Sequence, residues 1–157
     1  MYFFLLAKQR SKHDKNLSSR SPHLRGLISK LSSNRIGIHP SWQSHFDESL
    51  VLAEKRALEK ISGRDVKDSR QHYIKFTLPH TYRSVQGAGI KNDFSMGYGS
   101  INGFRASYTL PFYWYDLMKE EKTGLLLYPF CYMEANSFFE QHYTAEQAGE
   151  ELQKYYN

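Results

Sequence analysis

Residues 35–63 read RIGIHPSWQSHFDESLVLAEKRALEKISG, and the hydrophobic period changes partway through them. Ile36 to His39 opens as a short apolar run, the pattern of a strand covered on both faces. It delivers His39 and Pro40 into a loop. Beyond the loop the spacing turns helical: Leu50, Ala53, Ala57, Leu58 and Ile61 share one stripe, with Glu54, Lys55, Arg56, Glu59 and Lys60 outside it. Asp47 or Ser49 is placed to cap this helix, and Gly63 to stop it. Residues 68–76, DSRQHYIKF, repeat the plan, with a strand over Arg70 to Phe76 that carries His72.

Outward from these two stretches the same alternation continues. Tyr2 to Ala7 reads as a buried strand, followed by a polar loop from Lys8 to Ser21. Pro22 sits at a helix start, with Leu24, Leu27, Ile28 and Leu31 at helical spacing. Residues 78–89, LPHTYRSVQGAG, form a short helix begun after Pro79 and ended by Gly87 or Gly89. Ile90 to Ser95 is a short strand, residues 96–117 are loop-like and rich in glycine and aromatics, and Leu125 to Phe130 is a further strand. A closing helix follows, with Thr144 as its cap and Gln147 completing a capping box. Strands and helices alternating over short connections mean parallel β-α units. About five such strands suit either an open doubly wound sheet or a partial barrel. The expectation is a single α/β domain over residues 1–157.

Composition narrows the class. With 24% charged and 40% hydrophobic residues the chain is globular rather than disordered. Its 12 Tyr, 10 Phe and 2 Trp fill cores or line carbohydrate and nucleobase sites. The net charge of +5 permits an anionic partner, but no nucleic-acid motif accompanies it, so nucleic-acid binding ranks last. The opening apolar run is too short for a membrane span and has no signal-peptide flanks. The single cysteine, Cys131, forms no internal disulfide and fits a cytoplasmic protein.

In parallel α/β folds, functional groups collect beyond the carboxyl ends of strands. There the sequence places His13, Asp14, His39, Ser41, Trp42, His45, Arg70, His72, Asp93, Arg105, Tyr128 and Glu134. Arg70 and Asp93 read equally well as a buried ion pair and as functional groups. No spacing matches a sequence-local metal motif.

Residues 2–17 (YFFLLAKQRSKHDKNL), 36–42 (IGIHPSW), 69–83 (SRQHYIKFTLPHTYR), 89–117 and 125–134 (LLLYPFCYME) resemble a divergent Bacteroidetes-type branch of the bacterial polysaccharide deacetylase-like proteins. The resemblance implies a distorted (β/α) barrel of the NodB type. It also implies hydrolysis of acetyl groups on a carbohydrate polymer, with zinc or another divalent metal held by one aspartate and two histidines. His39 matches the first histidine of the family's His-Ser/Thr-x-x-His motif. The second falls at Gln43, which leaves His45, two residues on, as the substitute ligand. Arg70 matches the arginine of the Arg-x-Pro motif, where His72 stands in place of the proline as a compensating ligand or proton donor, and Asp93 matches an acidic partner of that arginine. These three are the implied catalytic residues. Trp42, Tyr73, Arg105 and Tyr108 are the candidate substrate contacts. The late leucine-histidine motif falls near Leu127 and Tyr128, where its histidine is absent. The family's paired aspartates lie ahead of anything in this sequence, so the resemblance implies the C-terminal part of the barrel, with the missing part as a possible partner. The competing expectation is a non-catalytic carbohydrate-binding domain.

Overall fold

A computed structural model describes residues 1–156 as one mixed α/β unit. Its sheet has six strands in the order β1-β2-β3-β4-β6-β5. They are β1 (Tyr2–Phe4), β2 (Ile36–Ile38), β3 (Asp68–Ser69), β4 (Asn92–Asp93), β5 (Phe112–Asp116) and β6 (Glu121–Leu127). All neighbours pair in parallel except β5, which runs antiparallel to β6 at the edge. The four helices are α1 (Pro22–Leu31), α2 (Glu48–Ser62), α3 (His80–Gly87) and α4 (Ala145–Gln153). The strand order carries no reversal of the kind that marks a doubly wound sheet. No described helix is long and apolar enough to cross a membrane.

Local chemistry explains most boundaries. The Asp47 carboxylate accepts from the Ser49 and Leu50 amides and caps α2, and Gly63 takes the left-handed conformation (φ 69°) that ends it. Thr144 and Gln147 form the reciprocal capping box of α4. Ile28 of α1, Val51 and Leu58 of α2, and Tyr82 and Val85 of α3 pack with Ile36, Ile38, Leu125 and Leu127 of the sheet. Each such side chain, fully buried, contributes about 1.5–3 kcal/mol. Two bidentate ion pairs fasten the sheet: Arg35 with Asp68 (2.6 and 2.7 Å) and Arg83 with Asp116 (2.7 and 2.9 Å).

The strand read over Tyr2 to Ala7 pairs only at Tyr2–Phe4, the one read over Leu125 to Phe130 lies at Glu121–Leu127, and three further departures follow. The strand expected over Arg70 to Phe76 ends at Ser69, because the chain then enters a tight turn with Tyr73 and Ile74 both at positive φ. The strand expected over Ile90 to Ser95 pairs only at Asn92 and Asp93. Residues 112–116 lie in the stretch read as loop but form β5. Phe112, Trp114 and Asp116 turn inward while Tyr113 and Tyr115 face out, and aromatics on both faces hide the period of two.

Tyr82 poses a local test. Its hydroxyl is buried and has no hydrogen-bond partner among the described residues. Burial, then the nearby Asp93 charge, pushes its ionisation far upward, so it stays a neutral and unpaired group. Tyr82→Phe is therefore expected to raise stability by about 1 kcal/mol, the cost of an unsatisfied buried hydroxyl, read as a higher urea midpoint.

Candidate functional site

His39 leaves the end of β2, where its amide still bonds to the Phe4 carbonyl (2.9 Å). Arg70 leaves the end of β3 with its amide on the Ile38 carbonyl (3.1 Å). These parallel ladders set His39 beside the Arg70 backbone, and His39 Nδ1 lies 2.5 Å from the Arg70 carbonyl oxygen. The chain then turns sharply. Gln71 donates its amide to Ser95 Oγ (2.9 Å), and Tyr73 and Ile74 take φ of 57° and 50°. Two successive left-handed non-glycine residues, one of them β-branched, store strain of about 1–3 kcal/mol each. Gly99 closes over this turn, where a Cβ would stand 3.0 Å from the Tyr73 carbonyl oxygen.

The turn brings His72 Nδ1 to 2.9 Å from His39 Nε2, with the rings edge to face at 4.8 Å. The far nitrogen of His72, Nε2, lies 3.0 Å from the His13 carbonyl oxygen. The Asp14 carboxylate is fully buried 4.0 Å from that nitrogen, accepting from the Trp42 amide (2.8 Å) and the Ser11 hydroxyl (3.1 Å).

Proton accounting gives this chain of contacts its chemistry. Carbonyl oxygens only accept, so they fix protons on His39 Nδ1 and His72 Nε2. In the doubly neutral form the facing nitrogens, His39 Nε2 and His72 Nδ1, present lone pairs to each other; with one proton more, His72 Nδ1–H donates to His39 Nε2 across the 2.9 Å gap. A cation between them, a proton or a metal ion, resolves the repulsion. Burial first, then the fields of a protonated His72 and of Arg70, push His39 down to about 4, so at neutral pH its ring is uncharged. An outer ring nitrogen held by a backbone carbonyl is also the usual second contact of a metal-bound histidine. The pair offers two nitrogens to a metal, which would part from 2.9 Å to about 3.4 Å to span a tetrahedral zinc. Among the described residues no group of three His, Cys, Asp or Glu side chains converges on one point, so the other positions would fall to water or substrate.

His72, not His45, is thus the ring against His39. His45 Nδ1 lies 3.2 Å from the Trp42 carbonyl, and its ring packs on Phe46. Burial, then Lys75, holds its basicity below the ordinary value. Trp42 stacks on His13 (4.5 Å, 15°) under the Lys75 ammonium, 3.0 Å from the ring centroid. Tyr73 stands exposed, edge-on to His72 and His13. Tyr73 therefore borders the histidine pair, while the two faces of Trp42 are taken by His13 and Lys75. Arg105 lies over Phe76 and Tyr98, and Tyr108 meets Phe112; neither stacks on the pair or bonds to it.

Arg70 and Asp93 do not form the direct ion pair that the sequence allowed. The Arg70 guanidinium lies over Phe130 (4.3 Å) with Met133 Sδ at 3.6 Å. Asp93 is fully buried and bound by Ser69 Oγ (2.6 Å), the Ser95 amide (2.9 Å) and Ser95 Oγ (3.1 Å). The two couple only through their fields. Asp14, placed at a strand end by sequence but assigned no part there, is the group that was missed. An adjoining His-Asp in the loop after the first strand was its one visible signal. Compared with known proteins, the chain matches no family model and no curated protein.

Proposed function

We propose that the chain is a carbohydrate-polymer deacetylase-like hydrolase domain built on a (β/α) barrel, with a divalent metal, zinc by its nitrogen ligands, held by His39 and His72. One observation carries this reading: two facing imidazole nitrogens 2.9 Å apart, each ring braced from behind by a backbone carbonyl. The unreversed parallel strand order favours a barrel over a doubly wound sheet. The exposed ring of Tyr73, edge-on to His72, suits the apolar face of a sugar ring. A metal there supplies Lewis acidity toward an acetyl carbonyl. The chain's own residues do the rest. Asp14 and the His13 carbonyl hold His72 in one tautomer. Arg70 fixes His39 through its carbonyl and, with its guanidinium, sets positive charge beside the site. Asp93 anchors the turn through Ser95, which receives the Gln71 amide.

Metal analysis after dialysis against zinc, paired with acetate release from acetylated xylan and from a hexamer of N-acetylglucosamine, tests the reading. About one retained zinc per chain, with acetate release that needs it, is the expected result. A folded chain that binds the oligosaccharide yet retains no zinc and releases no acetate is instead the non-catalytic carbohydrate-binding domain.

A further inference from the structure

A second concave surface lies between the segment Pro129–Glu134 and helix α4, a cleft of about 720 Å³. We infer that this cleft is a subsite for the length of carbohydrate polymer that flanks the reacting sugar; the assignment rests on the reading above and extends it. The volume falls within the range of about 300–1,000 Å³ usual for ligand clefts. Phe104, Phe130, Tyr132 and Tyr155 supply rings to its walls, and Ala145 and Gly149 of α4 keep its floor low. A Cβ at Gly149 would meet nothing within 4 Å, so the helix surface there is open. Glu134 and Thr109 place a carboxylate and a hydroxyl on the lining. Aromatic faces edged by a carboxylate and hydroxyls match a sugar, which offers C–H groups on its faces and hydroxyls at its rim. An acyl chain would gain nothing from the polar edge.

The cleft is linked to the histidine pair through Phe130 and then Arg70. Phe130 lines it, and the Arg70 guanidinium covers that same ring at 4.3 Å, while the Arg70 carbonyl holds His39. Gly97 lets Phe130 lie there, since a Cβ at this position would collide with the ring. The walls are also pinned before any ligand arrives. Asn102 donates to Ser137 Oγ (2.9 Å) and to Glu151 of α4 (2.5 Å), and its carbonyl oxygen receives the Met133 amide (3.1 Å). A preformed cleft loses little ordering entropy on binding.

The test is calorimetric titration of the metal-free protein with the hexamer and the dimer of β-1,4-linked N-acetylglucosamine. Gly149→Phe fills the floor from an exposed helical position, and Gly149→Ser is the control that leaves it open. The hexamer is expected to bind about tenfold more weakly to Gly149→Phe than to wild type or Gly149→Ser, with the dimer unaffected. Equal hexamer affinity in all three proteins, or no hexamer binding to the wild type, overturns the subsite. Zinc uptake and acetate release are scored separately. If both persist while hexamer affinity ignores Gly149→Phe, the subsite falls and the hydrolase stands. If both are absent but Gly149→Phe still loses the hexamer, the subsite stands without the hydrolase.

Discussion

His72→Ala is expected to abolish tight zinc binding as fully as His39→Ala, a loss of more than about 100-fold in affinity, whereas His45→Ala leaves affinity unchanged. The geometry behind this is local. His72 Nδ1 and His39 Nε2 face each other, while the near nitrogen of His45 is turned to the Trp42 carbonyl. Removing either facing nitrogen leaves one ligand on a site that offers two. Asp14→Asn gives a graded result. The carboxylate braces His72 from 4.0 Å without ligating, so its loss weakens zinc by about 10-fold, the scale of outer-contact mutations. Circular dichroism confirms that each variant folds, and competition with a chelating dye reads each affinity. Retention of wild-type affinity by His72→Ala would remove the pair as a metal site. Loss in His45→Ala alone would restore the ligand set inferred from the family motif.

That contrast marks where sequence reading stops. Signals contained in a few consecutive residues were legible: the Asp47 cap, the Gly63 stop, the capping box at Thr144, and the delivery of His39 at a strand end. Each depends on hydrogen bonds that close within one turn of chain or one ladder. The site depends on contacts that span much more. His72 reaches the His13 carbonyl across 59 residues and His39 across 33. The turn that aims His72 needs positive φ at Tyr73 and Ile74, and neither residue type announces it. His45 looked closer to His39 because it is closer in sequence; the 3₁₀ turn Trp42–Phe46 carries it into the layer beneath. Arg70 and Asp93 show the same limit in reverse. Opposite charges at neighbouring strand ends suggested a bond, but Ser69 and Ser95 occupy the carboxylate, and Phe130 takes the guanidinium.

Asp93 gives the largest expected effect on stability, with a sign opposite to that of most aspartates. Complete burial raises its carboxyl from 3.8 to about 6, against the opposing pull of Ser69, Ser95 and the Arg70 charge. Between about pH 4 and pH 6 the folded protein therefore binds a proton that the unfolded chain has released. Stability from this group is fully present below pH 4 and falls as pH rises through 6, by about 3 kcal/mol at roughly 1.4 kcal/mol per pH unit. Asp93→Asn keeps the shape, and its amide can still meet the two serine hydroxyls. It is expected to be close to wild type at pH 4 and about 1–3 kcal/mol more stable at pH 7. Other groups also make stability depend on pH: Glu54, raised by burial, adds to the slope, and Asp116, lowered by Arg83, opposes it at lower pH. The difference between wild-type and variant urea midpoints at each pH cancels both and isolates Asp93. A difference that grows from pH 4 to pH 6 in favour of the variant means that burial dominates the carboxylate. A variant that loses stability over the same interval means that the Arg70 field and the serine bonds outweigh burial. Asp93 would then be a charged strut of the turn that aims His72, rather than a proton-binding group in the core.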